Sequence, residues 1–209
     1  MAPIATAFGE HWPNAELVNI WDDSLSIDRA RDGKLTDAMS SRIGALGDYA
    51  LSIGADAVLY TCSAFGPAIE AFARRSPVPT LKPNEAMFDA AFEAGRTIGM
   101  LATFPPSVES MEAEFREAAG SRDVTLETVL VADAMDALKA GDANKHNKLI
   151  ADAAPQLSAC DAIMLAHFST SRARAAVSAA VDVPVLTSPD AATIALRRRL
   201  VRPGRAANV

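Results

Sequence analysis

Apolar residues run along the chain in short, nearly continuous blocks. The blocks are 15–21 (AELVNIW), 56–61 (DAVLYT), 78–81 (VPTL), 97–103 (TIGMLAT), 126–131 (LETVLV), 161–166 (DAIMLA) and 183–187 (VPVLT). Blocks this short and this apolar predict strands buried on both faces. Helical patterns lie between them, over 36–52, 64–74, 84–94, 107–119, 143–158, 171–180 and 189–201. Strands alternating with helices in this way predict an α/β protein whose parallel sheets are flanked by helices. No low-complexity linker interrupts the pattern.

Two of the blocks continue into related sequences, ADAVLYTCSAFG at 55–66 and CDAIMLAHFSTS at 160–171. His167 follows Cys62 by 105 residues (167 − 62), and the same offset maps Asp56 onto Asp161 and Leu81 onto Leu186. It also maps Val78-Pro79 onto Val183-Pro184 and Glu85-Ala86 onto Asp190-Ala191. The chain therefore reads as two pseudosymmetric lobes, 1–94 plus 188–209 and 95–187. Open α/β sheets bind ligands at the carboxyl ends of their strands. Cys62 and His167 are thus expected to flank one cleft between the lobes. The repeat also places an apolar strand ahead of APIATAFGEHW, as TIGMLAT precedes SVESMEAEFREA. The expectation is a natural protein that begins upstream of Met1 with such a strand.

Composition narrows the function. The 209 residues are half hydrophobic, enough for one α/β unit or two domains of roughly a hundred residues each. A net charge of -6 argues against a nucleic-acid partner. The run Arg197-Arg198-Arg199 sits at a helix end, where it complements the dipole. No apolar run is long enough for a membrane span, and the opening residues carry no leader pattern. Two cysteines make no disulfide framework, so the expected compartment is the reducing cytoplasm. No glycine-rich nucleotide motif occurs, and one Cys with one His does not make a metal site. Neither a cofactor nor a metal is expected.

A thiol and an imidazole on opposite sides of one carbon suit cofactor-independent proton transfer, because both groups exchange protons near neutral pH. Helices starting after each would favour a bound carboxylate. Ser63, Thr103, Ser169 and Thr170 add hydroxyl donors, and Ala64 and Phe168 line the same positions. Cys160, aligned with Ala55, reads as packing, as do Met87 and Met111. His11 and His146 read as solvated. Asp22, Asp23, Lys82, Arg172 and Arg174 are weaker candidates for substrate contact, with capping or surface roles as the competing reading.

These residues resemble the aspartate/glutamate racemase superfamily, which includes hydantoin and allantoin racemases, maleate isomerase and arylmalonate decarboxylase. The matching pieces are ADAVLYTCSAFG, IGMLATFPPSVESMEAEF, DAIMLAHFSTSRA and VPVLTSPDAA. The resemblance implies two pseudosymmetric α/β lobes with the active site between them and a cysteine from each lobe. Cys62 matches the first cysteine, and His167 stands where the second is expected. The expectation is a Cys62/His167 two-base racemase or isomerase acting on a small carboxylic acid or amino-acid derivative. The alternatives are a one-base decarboxylase or lyase, a Cys-nucleophile cis–trans isomerase, and a non-catalytic small-acid binder. An unpaired sheet edge in the first lobe would invite a second copy, giving a homodimer or higher oligomer.

Overall fold

The computed structural model describes residues 2–201. The chain opens with helices α1 (Ala2–His11), α2 (Ser24–Asp32) and α3 (Asp37–Ser52). Strand β1 (Val58–Leu59), helix α4 (Gly66–Arg75), strand β2 (Thr80–Leu81) and helix α5 (Glu85–Ala94) follow. Next come β3 (Thr97–Ala102), α6 (Val108–Ala119), β4 (Thr125–Leu130), α7 (Ala132–Lys139) and α8 (Ala143–Ala153). The described chain closes with β5 (Ala162–Leu165), α9 (Arg174–Ser178), β6 (Val185–Thr187) and α10 (Ser188–Leu200). Side chains set several helix starts. Thr36 accepts the Met39 N–H at 3.3 Å, Asp142 that of Lys145 at 2.9 Å, and Thr187 that of Asp190 at 3.2 Å.

All strand pairing is parallel. One sheet has the order β1-β2 and the other β4-β3-β5-β6. The larger sheet is covered on both faces, as its continuous apolar strands require. Ile98, Met100 and Ala102 of β3 and Ala162 and Met164 of β5 pack against Met87 and Phe88 of α5 and Met111 and Phe115 of α6. The alternate residues, Leu101, Ile163 and Leu165, face Ile150 of α8, Leu157 and Val177 of α9. Each fully buried Leu, Ile, Met or Phe among them contributes about 1.5–3 kcal/mol through loss of apolar surface from water. Helix α5 packs on β5 and β6 as well as on α10, so the two sheets share a helical layer.

The internal repeat is visible in the register. β1 and β2 pair Val58 with Thr80 and Leu59 with Leu81. β5 and β6 pair Ile163 with Val185 and Met164 with Leu186, each partner 105 residues further on. The bond from Val58 N to Pro79 O, 2.9 Å, likewise recurs as Ile163 N to Pro184 O, 2.9 Å.

The block 15–21 departs from expectation: it forms no strand. Between the Ala15 and Leu25 N–H groups, the described residues show no backbone hydrogen bond for this segment. Val18 is 62% and Trp21 69% exposed. The second lobe supplies the reason. There the edge strand β4 leans on β3 alone. Among the described residues the first lobe has no counterpart of β3, so the segment lacks the neighbour whose N–H and C=O groups would hold it. Helices α2 and α7 were not anticipated. One buries Leu25 alone and the other only Ala134 and Ala137, too little apolar signal to show a period.

Candidate active site

Cys62 lies three residues past β1, in extended backbone, with φ -129° and ψ 115°. A single turn, Ser63–Phe65, then leads into α4, and buried Phe65 anchors that turn. The Cys62 side chain is exposed. His167 lies two residues past β5. Its φ of 69° makes it the one non-glycine residue in the left-handed region among the described residues. That conformation costs energy in a residue with a Cβ, so the surroundings must hold it. Before it, the Ala166 N–H donates to Leu101 O at 3.0 Å. After it, Phe168 packs against a cluster containing Phe8, Leu81 and Leu196, on which Leu59 of β1 also packs. The residues flanking the two motifs therefore share one apolar cluster.

The imidazole Nε2 of His167 lies 2.7 Å from Ser107 Oγ. Burial pushes the His167 ring below the ordinary histidine pKa, because desolvation penalises the charged form. Thr103 follows the end of β3. The β3–β5 register ends on the pair Leu101 and Leu165, and Thr103 and His167 each lie two residues beyond that pair. Thr103 and Thr170 are both 0% exposed, and neither hydroxyl has a hydrogen-bond partner among the described residues. A buried, unpaired hydroxyl costs about 1–3 kcal/mol, so each of these two threonines is a costly placement. Ser63 and Ala64 are exposed, and Phe168 and Ser169 are half-buried. Ser107 was read from sequence only as a helix start. Its place after the Pro-Pro of TFPPS, at the N-cap of α6, marked a turn but gave no sign of the contact with His167.

The Asp/Glu/Hydantoin racemase family model matches residues 2–195. The chain belongs to that family. The fold agrees with solved family structures. An aspartate racemase from Picrophilus torridus superposes with TM-score 0.66 at 15% identity, covering 94% of this chain and 88% of that one. A glutamate racemase from Bacillus anthracis gives 0.63 at 13% identity, covering 93% and 75%. An allantoin racemase from Pseudomonas fluorescens gives 0.61 at 15% identity, covering 94% and 84%. Comparison with curated protein sequences gives no match.

Other residues of this Asp/Glu/Hydantoin racemase family chain have structural partners. Cys160 is buried against the back of β3, and desolvation raises its thiol pKa, as suits a packing role. Met87 and Met111 are core. Asp22 pairs with Arg42 and accepts from Ser24, a turn and ion-pair role. Lys82 pairs with Glu70 at 2.7 Å, and Arg174 pairs with Glu10 and Asp190. Two histidines differ from the solvated reading. His146 is fully buried, with Nδ1 2.8 Å from Ala134 O, because its face of α8 packs on α7. His11 is half-buried, with Nε2 3.1 Å from Asp190 Oδ1. Glu10, His11 and Asp190 converge as cation ligands would, but the Arg174 guanidinium already bridges the two carboxylates. Among the described residues no helix is long and apolar enough to cross a membrane.

Proposed function

We propose that this family member is a cofactor-independent racemase or isomerase of a small carboxylic acid or amino-acid derivative, with Cys62 and His167 as opposed acid and base. The observation that carries the reading is their equivalence. The two side chains follow β1 and β5, strands that share one register 105 residues apart, and the sequences flanking them pack on a common cluster. His167 is held toward its neutral form by burial, the form that accepts a proton.

In one direction, neutral His167 takes the proton from the carbon beside the carboxylate. The C–H electron pair becomes the carbon–carbon π bond of an enediolate, with the carbonyl π electrons moving onto the carboxylate oxygens. The Cys62 thiol then delivers its proton to the opposite face, leaving imidazolium and thiolate. The reverse reaction starts from that pair, and exchange with water resets the site. Ser63, Ala64, Phe168 and Ser169 line the approach, and the unpaired Thr103 and Thr170 hydroxyls, sealed in this structure, would reach the carboxylate only after the side chains around them move.

The test is proton exchange in D2O across a panel of small acids, read by NMR with enantiomer analysis. Deuterium should enter the α-carbon of the true substrate and its enantiomers should interconvert. Cys62→Ser should abolish turnover, and His167→Cys should retain it by restoring a thiol pair. Full activity in His167→Ala would rule out the two-base scheme. Loss of CO2 without enantiomer exchange would assign the decarboxylase alternative.

A further inference from the structure

The contact between Ser107 and His167 determines which ring nitrogen is free. Ser107 Oγ is 2.8 Å from the carbonyl oxygen of Phe104 and 2.7 Å from His167 Nε2. A carbonyl only accepts, and a serine hydroxyl has one proton. That proton goes to Phe104 O, which leaves Ser107 Oγ as an acceptor toward the ring. Nε2 must then carry hydrogen and donate. The lone pair of the neutral imidazole falls on Nδ1. Among the described residues Nδ1 has no hydrogen-bond partner, and it is not one of the fully enclosed unpaired atoms.

From this geometry we infer that Ser107 is a positioning residue that locks His167 as its Nε2–H tautomer and makes Nδ1 the nitrogen that takes and returns the substrate proton. The assignment of the moving proton rests on the function proposed above; the tautomer itself does not. The chain His167 Nε2–H to Ser107 Oγ–H to Phe104 O is the same whether the ring is neutral or charged. A proton can therefore come and go at Nδ1 without breaking a bond that holds the ring. The opposite tautomer would require the hydroxyl to abandon Phe104 O and turn toward Nε2. In the inferred arrangement no base lone pair faces the Ser107 hydroxyl, so His167 does not activate it as a nucleophile.

The turn that presents Ser107 is built for this. The Ser107 N–H donates to Phe104 O at 3.1 Å, so backbone and hydroxyl converge on one acceptor. Pro105 at the head of that turn restricts its φ. Ser107 also ends the turn at the N-cap of α6, a twelve-residue helix whose packing fixes the loop.

The test uses full-length protein labelled with 15N-histidine. Long-range 1H–15N spectra distinguish the two tautomers, and His167→Gln assigns the His167 signals. His146 is an internal control of opposite sense. Its Nδ1 faces Ala134 O, an obligate acceptor, so it must be the Nδ1–H tautomer. Wild-type His167 is expected as Nε2–H. Ser107→Ala should give mixed tautomers and a lower His167 pKa, since loss of an acceptor at Nε2–H weakens the charged ring. With the substrate found by exchange, Ser107→Ala should lower kcat by roughly ten- to a hundredfold with KM little changed, and shift the acid limb of the pH profile downward. Ser107→Thr should restore all three readouts. An Nδ1–H tautomer in wild type overturns the inference. So does a Ser107→Ala variant with unchanged tautomer and pH limb. The spectra need no turnover, so a panel that finds no substrate sinks the proposed reaction without touching the tautomer result.

Discussion

Asp161 shows how one carboxylate can start a strand motif for reasons unrelated to catalysis. Its Oδ2 accepts the Arg96 N–H at 2.7 Å and the Thr97 N–H at 2.9 Å, tying the start of β5 to the start of β3. The fit is close: a Cβ at Gly95 would lie 2.2 Å from that oxygen, so alanine there must push the carboxylate away. The Thr97 and Arg96 N–H donors hold the Asp161 carboxyl below the usual aspartate range. A depressed folded-state pKa gives stability that is present above the ordinary value, about 3.9, and is lost as pH falls through the folded value. Asp161→Asn should therefore lower the melting temperature at neutral pH. It should also weaken the loss of stability that wild type shows below about pH 4. Calorimetric melts across a pH series check both effects. Equal melting temperatures at neutral pH would show that the two N–H contacts contribute nothing.

At the scale of elements, β4 and the segment 15–21 differ in their neighbours rather than their residues. Both are apolar runs that follow a helix, but β4 lies beside β3 while 15–21 has no ladder partner among the described residues. The consequence is measurable. Val18→Lys replaces a side chain already in water and should change unfolding free energy by no more than about 0.5 kcal/mol. Leu101→Ala, in fully buried β3, should cost about 2–5 kcal/mol through lost contacts and a cavity. Urea denaturation of the two variants beside wild type makes the comparison. A Val18→Lys cost comparable to that of Leu101→Ala would mean that the segment is packed in solution. An exposed apolar segment without a ladder partner among the described residues is also an association hazard, and a lysine there should reduce it.

At the scale of the whole molecule, Leu59 of β1 and Phe168, next to His167, pack on one apolar cluster. Burial of the His167 ring pushes its pKa below the ordinary histidine value of about 6.5. If neutral His167 is the base, kcat/KM should rise with pH through a limb below that value and level off by neutrality. The sign follows from the shift: acid protonates the ring and removes the base, and burial lowers the pH at which this happens. The measurement is the pH dependence of kcat/KM in wild type and His167→Cys. The low limb should be absent from the thiol variant. A limb at or above the ordinary histidine value would contradict a buried neutral ring. Folding stability carries the same sign, falling as pH drops below the unfolded histidine value.

The sequence alone determined the α/β class, six of the seven proposed strands, most of the helices and the repeat that pairs Cys62 with His167. These features are legible because alternation and fixed offset are properties of the chain itself. Periodicity requires only that apolar residues recur where a covered surface will be. The tertiary structure decided the rest. AELVNIW has strand composition but no ladder partner among the described residues, and a strand exists only when another backbone meets it. His146 sits in a polar helical pattern, yet α7 covers its face. Ser107 looked like a helix start because nothing in TFPPS records that β5 ends beside it. Its hydroxyl count, its contact with His167 and the nitrogen left free all depend on groups 60 residues apart in sequence, brought within 2.7 Å only by folding.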